Sequence, residues 1–270
     1  MNAKKTEQLG LVPEEELRQR PQFATTLANG LELLRCFSAA EPSLGNKELS
    51  DYLGISRPTI ARLTYTLCNL GYLVQNPETK KYSLGPAVLT LSYPLLTQLT
   101  LRQLAAHDMV ELSRFAKGPV SIGMRERLQV VYVEMVHDKD YNDARPDIGV
   151  TRPLLNTAIG RALLYRHPEN ERQILFERLQ AEYPDAWQQH KAGVFSAMEQ
   201  VREKGFCTSY GNWRVGLYGV SVPLCYKFGT NYLAINLTIS AYDNEKDYVE
   251  RVLGPKLLRL VQDLDSRLGV

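Results

Sequence analysis

The stretch Leu53–Leu73, LGISRPTIARLTYTLCNLGYL, constrains the fold more than any other. Glycines stand near both ends, and between them runs a pattern with a helical period. At about 100° per residue, Ile60, Leu63, Leu67 and Leu70 fall in one apolar stripe. Pro58, Ala61, Arg62 and Tyr65 lie opposite, with Arg57 beside them. Ser56 is placed to cap this helix, and Pro58 is tolerated in a first turn whose N–H groups lack helical partners. Gly71 stops it, because glycine accepts the left-handed conformation at a helix end. The chain must therefore bury the leucine face and show the arginine face.

The flanking segments say what the leucines pack on. Leu27, Leu31, Leu34 and Phe37 predict an amphipathic helix over residues 25–38. A short helix, KELSDYL, follows, with Asn46 as its expected cap and Gly54 at its end. Small Ser50, Gly54 four residues on and Ile60 six further let two short helices pack at a steep angle, the helix-turn-helix spacing. YLVQ and KYSL predict two strands joined by NPETK, with Lys80 and Lys81 at the tip as a wing.

An α-helix fits the major groove of B-DNA, and arginine pairs bidentately with guanine. Arg57, Arg62 and Tyr65 are the expected readers. Ala61 permits close approach and offers a methyl to thymine. Ser56 and Thr59 are placed for phosphates, and Asn46 at the preceding helix start is a further DNA-contact candidate. The net charge of the whole chain is only +2, and residues 23–86 hold six basic against five acidic side chains. Counterion release by one copy is therefore weak. Two copies on a two-part site are expected, with Leu89, Leu91, Leu95 and Leu96 of an apolar linker helix as pairing surface.

The rest of the chain reads as α/β segments. A helix carrying Leu101, Leu104, Leu112 and Phe115 breaks at Gly118-Pro119. VSIGM and QVVYVEMV are strands, residues 137–149 a loop, and residues 150–154 another strand. Helices follow at TAIGRALLYR, 169–180 and 185–204. FCTSY, YGVSVPLCY and NYLAINLTISAY are strands before a last helix. Such an order predicts an antiparallel sheet flanked by helices. The fold class is α+β. The expected divisions are a mobile tail at 1–22, a winged helix-turn-helix domain at 23–85, a linker helix at 86–99 and a sheet domain at 100–270.

The chain resembles the IclR family of bacterial transcriptional regulators over roughly residues 24–268. In the first domain the likeness rests on NKELSDYLGISRPTIARLTYTLCNLGYL followed by KYSLG. In the second it rests on TRPLLNTAIGRALL, on GFCTSYGNWRVGLYGVSVPL and on YLAINLTIS. The resemblance implies a winged helix-turn-helix joined to a GAF-like effector domain, dimers that often pair into tetramers, and control of catabolic genes by a small metabolite. It implies that backbone amides at Thr157, Ala158 and Ile159 grip the effector's carboxylate, as a helix N-terminus suits an anion. Ser209 stands where some members have an acid, and Gly219 where some have a cysteine. Asn156, Ser121 and Ser221 are further hydrogen-bonding candidates. Tyr132 and Trp213 are candidates for stacking on a ring, and Arg214 supplies a charge.

The competing class is an enzyme or a sensor that uses the helical domain only as an interaction module. His107, His137, His167 and His190 are scattered, with no HExxH, GxSxG or GxxxxGK[ST] pattern. In DKDYND, Asp138, Asp140 and Asn142 alternate, but Asp143 stands where a calcium loop needs glycine. Cys36, Cys68, Cys207 and Cys225 show no CxxC spacing, which fits reduced cysteines in a cytoplasmic protein. No secretory signal is read at the N-terminus, and no run of 18 apolar residues predicts a membrane span. No cofactor or metal is expected. The expected partners are an operator in double-stranded DNA, a small organic-acid effector and a second copy of the chain.

Overall fold

The computed structural model describes residues 2–137 and 148–270, and side chains from Lys5 onward. The calcium-like run with Asp138, Asp140, Asn142 and Asp143 lies outside the described residues. The chain divides into two compact units. One is Pro13–Gln98; the other joins the residues up to Val12 with Leu99–Val270.

Helix α1 (Asn2–Gln8) opens the chain and packs in the larger unit. This corrects the expected mobile tail. Leu11 is only 3% exposed, inside the core of the larger unit, and Arg125 donates from Nη2 to Leu9 O at 3.1 Å. Lys5 pairs with Glu171 at 3.6 Å. The segment is too short for a periodic signal, yet its two leucines find an apolar surface.

The smaller unit begins with α2 (Glu14–Arg18), whose Arg18 donates to Asn29 Oδ1 at 2.7 Å. Helices α3 (Thr25–Arg35), α4 (Asn46–Leu53) and α5 (Arg57–Asn69) follow. Strands β1 (Leu73–Gln75) and β2 (Tyr82–Leu84) pair antiparallel, and Leu44 extends them by bridging Tyr82. Helix α6 (Ala87–Gln98) carries Pro94 in its interior. The core is Leu33, Phe37, Leu44, Leu49, Ile60, Leu63, Leu73 and Tyr82. Each fully buried leucine or isoleucine contributes about 1.5–3 kcal/mol.

Two details correct the apolar stripes. Leu27 and Leu31 are exposed; α3 instead buries Leu33, while Phe37 of the expected stripe is buried just past the end of the helix. Side-chain-free Gly30 sits against Leu63, where an added Cβ would touch Cδ2 at 3.8 Å, so that turn of α3 approaches α5. Leu70 is 61% exposed, because the helix ends before it can turn inward. There Gly71 has φ +78°, its N–H bonds Cys68 O, and the Tyr72 N–H bonds Leu67 O, a Schellman closure.

The larger unit continues with α7 (Thr100–Ala116), β3 (Val120–Glu126), β4 (Gln129–Val136) and β5 (Thr151–Pro153). Helices α8 (Ala158–Arg166), α9 (Glu169–Glu182) and α10 (Pro184–Lys204) come next. Strands β6 (Cys207–Tyr210), β7 (Leu217–Phe228) and β8 (Asn231–Ser240) complete a six-stranded antiparallel sheet, ordered β5-β4-β3-β8-β7-β6. After α11 (Lys246–Tyr248), a π-helical turn (Val249–Leu253) leads into α12 (Gly254–Arg267).

Helices α7 and α12 pack on one face of the sheet, α8 and α10 on the other. Strand alternation sorts the residues. Gly123 faces α8, where a Cβ would strike Ile159 Cδ1 at 2.7 Å, and its neighbours in register are Tyr132 and Ala234. The register of β7 against β8 shifts between Pro223 and Lys227. Asp265 of α12 accepts the N–H groups of Cys225 and Tyr226 there, at 2.9 and 3.0 Å.

Candidate functional site

The reading helix is built by the turn before it. Gly54 ends α4 at φ +65°, and Ser50 Oγ donates to Ile55 O at 2.6 Å, which closes the turn. Ile60 and Leu63 then anchor α5 from behind. Arg57, Pro58, Ala61 and Arg62 are exposed, Thr59 is half-buried and Tyr65 is 72% exposed. Among the described residues neither Arg57 nor Arg62 is engaged by a carboxylate. Ser56 occupies the cap position, but its hydroxyl meets that of Thr59 at 2.9 Å and makes no side-chain cap bond.

Two expected DNA contacts are otherwise placed. Asn46 is the first residue of α4, not its cap, and its half-buried side chain leaves Oδ1 without a partner. Gly45 takes the cap position, and its N–H donates to Glu48 Oε2 at 2.7 Å. Glu48 Oε1 accepts Lys81 Nζ, also at 2.7 Å. The Lys81 ammonium, then the Gly45 N–H, hold the Glu48 carboxyl below the usual carboxylate value. Lys81 therefore ties the wing to α4, and of the two wing lysines Lys80 is the exposed one, at φ +57°.

In the larger unit, α8 begins at a buried cap. Thr157 Oγ1 accepts the Gly160 N–H at 3.1 Å and donates to Pro153 O at 2.7 Å. A helix start leaves the N–H groups of Ala158 and Ile159 without intrahelical acceptors. Beside them lies a small cavity of about 40 Å³, lined by eight of the expected residues: Tyr132, Thr157, Ala158, Ile159, Ser209, Trp213, Arg214 and Gly219. Gly219 keeps it open. A Cβ there would meet Ala158 Cβ at 3.4 Å.

Three expected residues lie elsewhere. Ser221 is fully buried and spends its hydroxyl on Ile235 O at 2.8 Å. Ser121 is buried in the sheet, paired in register with Asn236, and does not line the cavity. Asn156 lines a neighbouring cavity of about 390 Å³. Its backbone carbonyl lies 3.2 Å from Ser209 Oγ.

The cavity adds Leu217, Tyr218, Asn236 and Thr238. Asn236 Nδ2 donates to Thr238 Oγ1 at 2.9 Å. Their signal was present: Asn236, Thr238 and Ser240 alternate with apolar residues along β8. No Asp or Glu lines the cavity among the described residues, while Arg214 does. Cys207, fully buried, is pushed up to about 12 by desolvation, so its thiol stays protonated. Burial likewise drives His167 down to about 4; its Nδ1 lies 3.0 Å from Glu171 and its Nε2 3.3 Å from Arg125 Nε. Among the described residues no cluster of three metal-ligating side chains occurs, and no helix is long and apolar enough to cross a membrane.

Comparison with known proteins agrees with this architecture. Residues 26–77 match the IclR helix-turn-helix domain, and residues 94–266 match the bacterial transcriptional regulator IclR C-terminal domain. The chain is 29% identical over 245 residues to the HTH-type transcriptional regulator TsaQ1/TsaQ2 of Comamonas testosteroni, covering 90% of this chain and 88% of that one. It is similar to an IclR family transcriptional regulator from Brucella abortus, with 35% identity, a TM-score of 0.85, and 92% and 94% of the two chains covered. An IclR homologue from Microbacterium hydrocarbonoxydans, complexed with 4-hydroxybenzoate, shares the fold at 16% identity and a TM-score of 0.69, with 90% and 98% covered. With both domains matched in order on this reading helix and this sheet, the chain belongs to the IclR family of DNA-binding bacterial transcriptional regulators.

Proposed function

We propose that α5 reads an operator of a catabolic gene cluster, and that a small organic acid bound at the start of α8 changes its grip. The observation that carries this reading is the α8 cavity. Two backbone N–H groups at a helix N-terminus, Arg214 and, among the described residues, no lining carboxylate favour an anion. Tyr132, Trp213 and Tyr218 suit an aromatic body. The 4-hydroxybenzoate held by the Microbacterium homologue is of that class.

The partners of this reading are double-stranded DNA, the acid and a second copy of the chain. Arg57, Arg62 and Tyr65 meet base edges; Ser56, Thr59 and Lys80 meet phosphates. With Lys81 committed to Glu48, one copy offers few free cations, so paired copies supply affinity. The exposed Leu89, Leu91, Tyr93 and Leu95 of α6 form the pairing surface. The acid acts by population shift between arrangements of paired reading helices. A coupling of about 1–3 kcal/mol changes DNA affinity roughly 5–150-fold.

Fluorescence anisotropy of labelled DNA from upstream of the protein's own gene, titrated with and without 4-hydroxybenzoate and related acids, tests this. The expected result is specific binding that an acid shifts at least about 5-fold. Binding that no acid alters would remove the effector reading, and turnover of an acid without DNA binding would favour an enzyme.

A further inference from the structure

We propose that the larger unit carries a second small-molecule site, in the cavity between β4–β5 and α9–α10, for an organic anion with an apolar body. The cavity has a volume of about 390 Å³, against about 40 Å³ beside α8. Small-molecule pockets occupy roughly 300–1,000 Å³, so the larger space is of ligand size as it stands. Buried Leu128, Leu155 and Leu179 form apolar wall, with Arg152 and His190 among the polar groups. No Asp or Glu lines it among the described residues.

A second cation lies behind this wall. Arg161 of α8 is 4% exposed. Its Nε donates to the carbonyl of Leu155, a wall residue, at 2.8 Å, and Nη1 reaches Asn212 Oδ1 at a long 3.4 Å. Gly193 makes room for the guanidinium, since a Cβ there would lie 2.7 Å from Nη2. None of these partners is a carboxylate, so among the described residues the charge is buried without a counter-ion, an arrangement an anion nearby would relieve. Burial first, and then Arg161, lower the His190 pKa. A neutral imidazole offers one donor and one acceptor to an occupant.

The cavity is also wired to the α8 site by shared residues. Arg152 lines it while its guanidinium lies 4.7 Å over the Trp213 ring and 5.4 Å over the Tyr132 ring, both of which line the α8 cavity. Pro153–Asn156 line the large cavity, and Thr157–Ile159, next in the chain, line the small one. An occupant of the first therefore acts on the segment that shapes the second, and the coupling is reciprocal.

The test uses the full chain and 4-bromobenzoate, followed by titration calorimetry and by the anomalous bromine signal in crystals. Gly219→Leu fills the α8 cavity. Ala186→Phe and Gln129→Trp each intrude on the large cavity from different elements, so one serves if the other misfolds. The expected result is two bound acids per chain in the unaltered protein, with bromine beside His190. That site persists in Gly219→Leu and loses at least about tenfold in affinity in Ala186→Phe and Gln129→Trp. A bromine only at α8, unaffected by Ala186→Phe and Gln129→Trp, overturns the proposal, and so does no bromine beside His190 in any crystal. Bromine beside His190 with none at α8 upholds this site and sinks the effector reading given above.

Discussion

The starts of α5 and α8 make an instructive pair. Both present backbone N–H groups, both carry a β-hydroxyl residue at the cap, and both are read as anion sites. At α5 the cap is exposed, and Ser56 spends its hydroxyl on Thr59 rather than on the backbone. At α8 the cap is buried, and Thr157 is bonded on both sides, to Gly160 N and Pro153 O. An exposed start can slide onto a phosphate and be rehydrated when it leaves. A buried one must be held in place before the ligand arrives, because unpaired N–H groups there have no water to fall back on.

Substitutions break or sharpen this contrast, from large effects to small. Ala158→Asp puts a carboxylate where an anion is to bind, and should abolish the effector response in anisotropy titrations while DNA affinity stays intact. Thr157→Val leaves the Gly160 N–H and Pro153 carbonyl unpaired in a buried place. Urea unfolding should show a loss of about 2–3 kcal/mol, together with weakened effector binding. Arg62→Ala should cost about 1–3 kcal/mol in operator affinity and relax the choice of one base pair, with stability unchanged. Ser56→Ala removes no backbone cap bond, so unfolding should shift by no more than about 0.5 kcal/mol. A loss near that of Thr157→Val would mean that the two caps work alike.

The reading helix was legible because everything that defines it is local. Gly54, Ser56, Pro58 and Gly71 punctuate it, and Ile60 and Leu63 give its period. What the sequence hid is what depends on partners far along the chain. Lys81 looks like a free wing cation until Glu48, thirty-three positions earlier, is placed beside it. Asn46 looks like a cap until Gly45 is seen to use the Glu48 carboxylate instead. Eight of eleven expected effector residues share the α8 cavity, yet Asn236 and Thr238 were missed. They join it through the pairing of β7 with β8, which sets Gly219 opposite Thr238 and Ser221 opposite Asn236. Register of that kind is set by tertiary packing, not by the residues of one strand.

The path of the chain bears on how the molecule comes apart. Because residues 2–12 fold into the larger unit, the smaller one is an insertion leashed at both ends, near Val12 and near Gln98. A protease that nicks the second leash alone leaves the fragments joined through Leu11 and the Arg125–Leu9 bond. Two cuts are needed to free the DNA-reading half, and deleting the first twelve residues weakens the half from which they are distant in sequence.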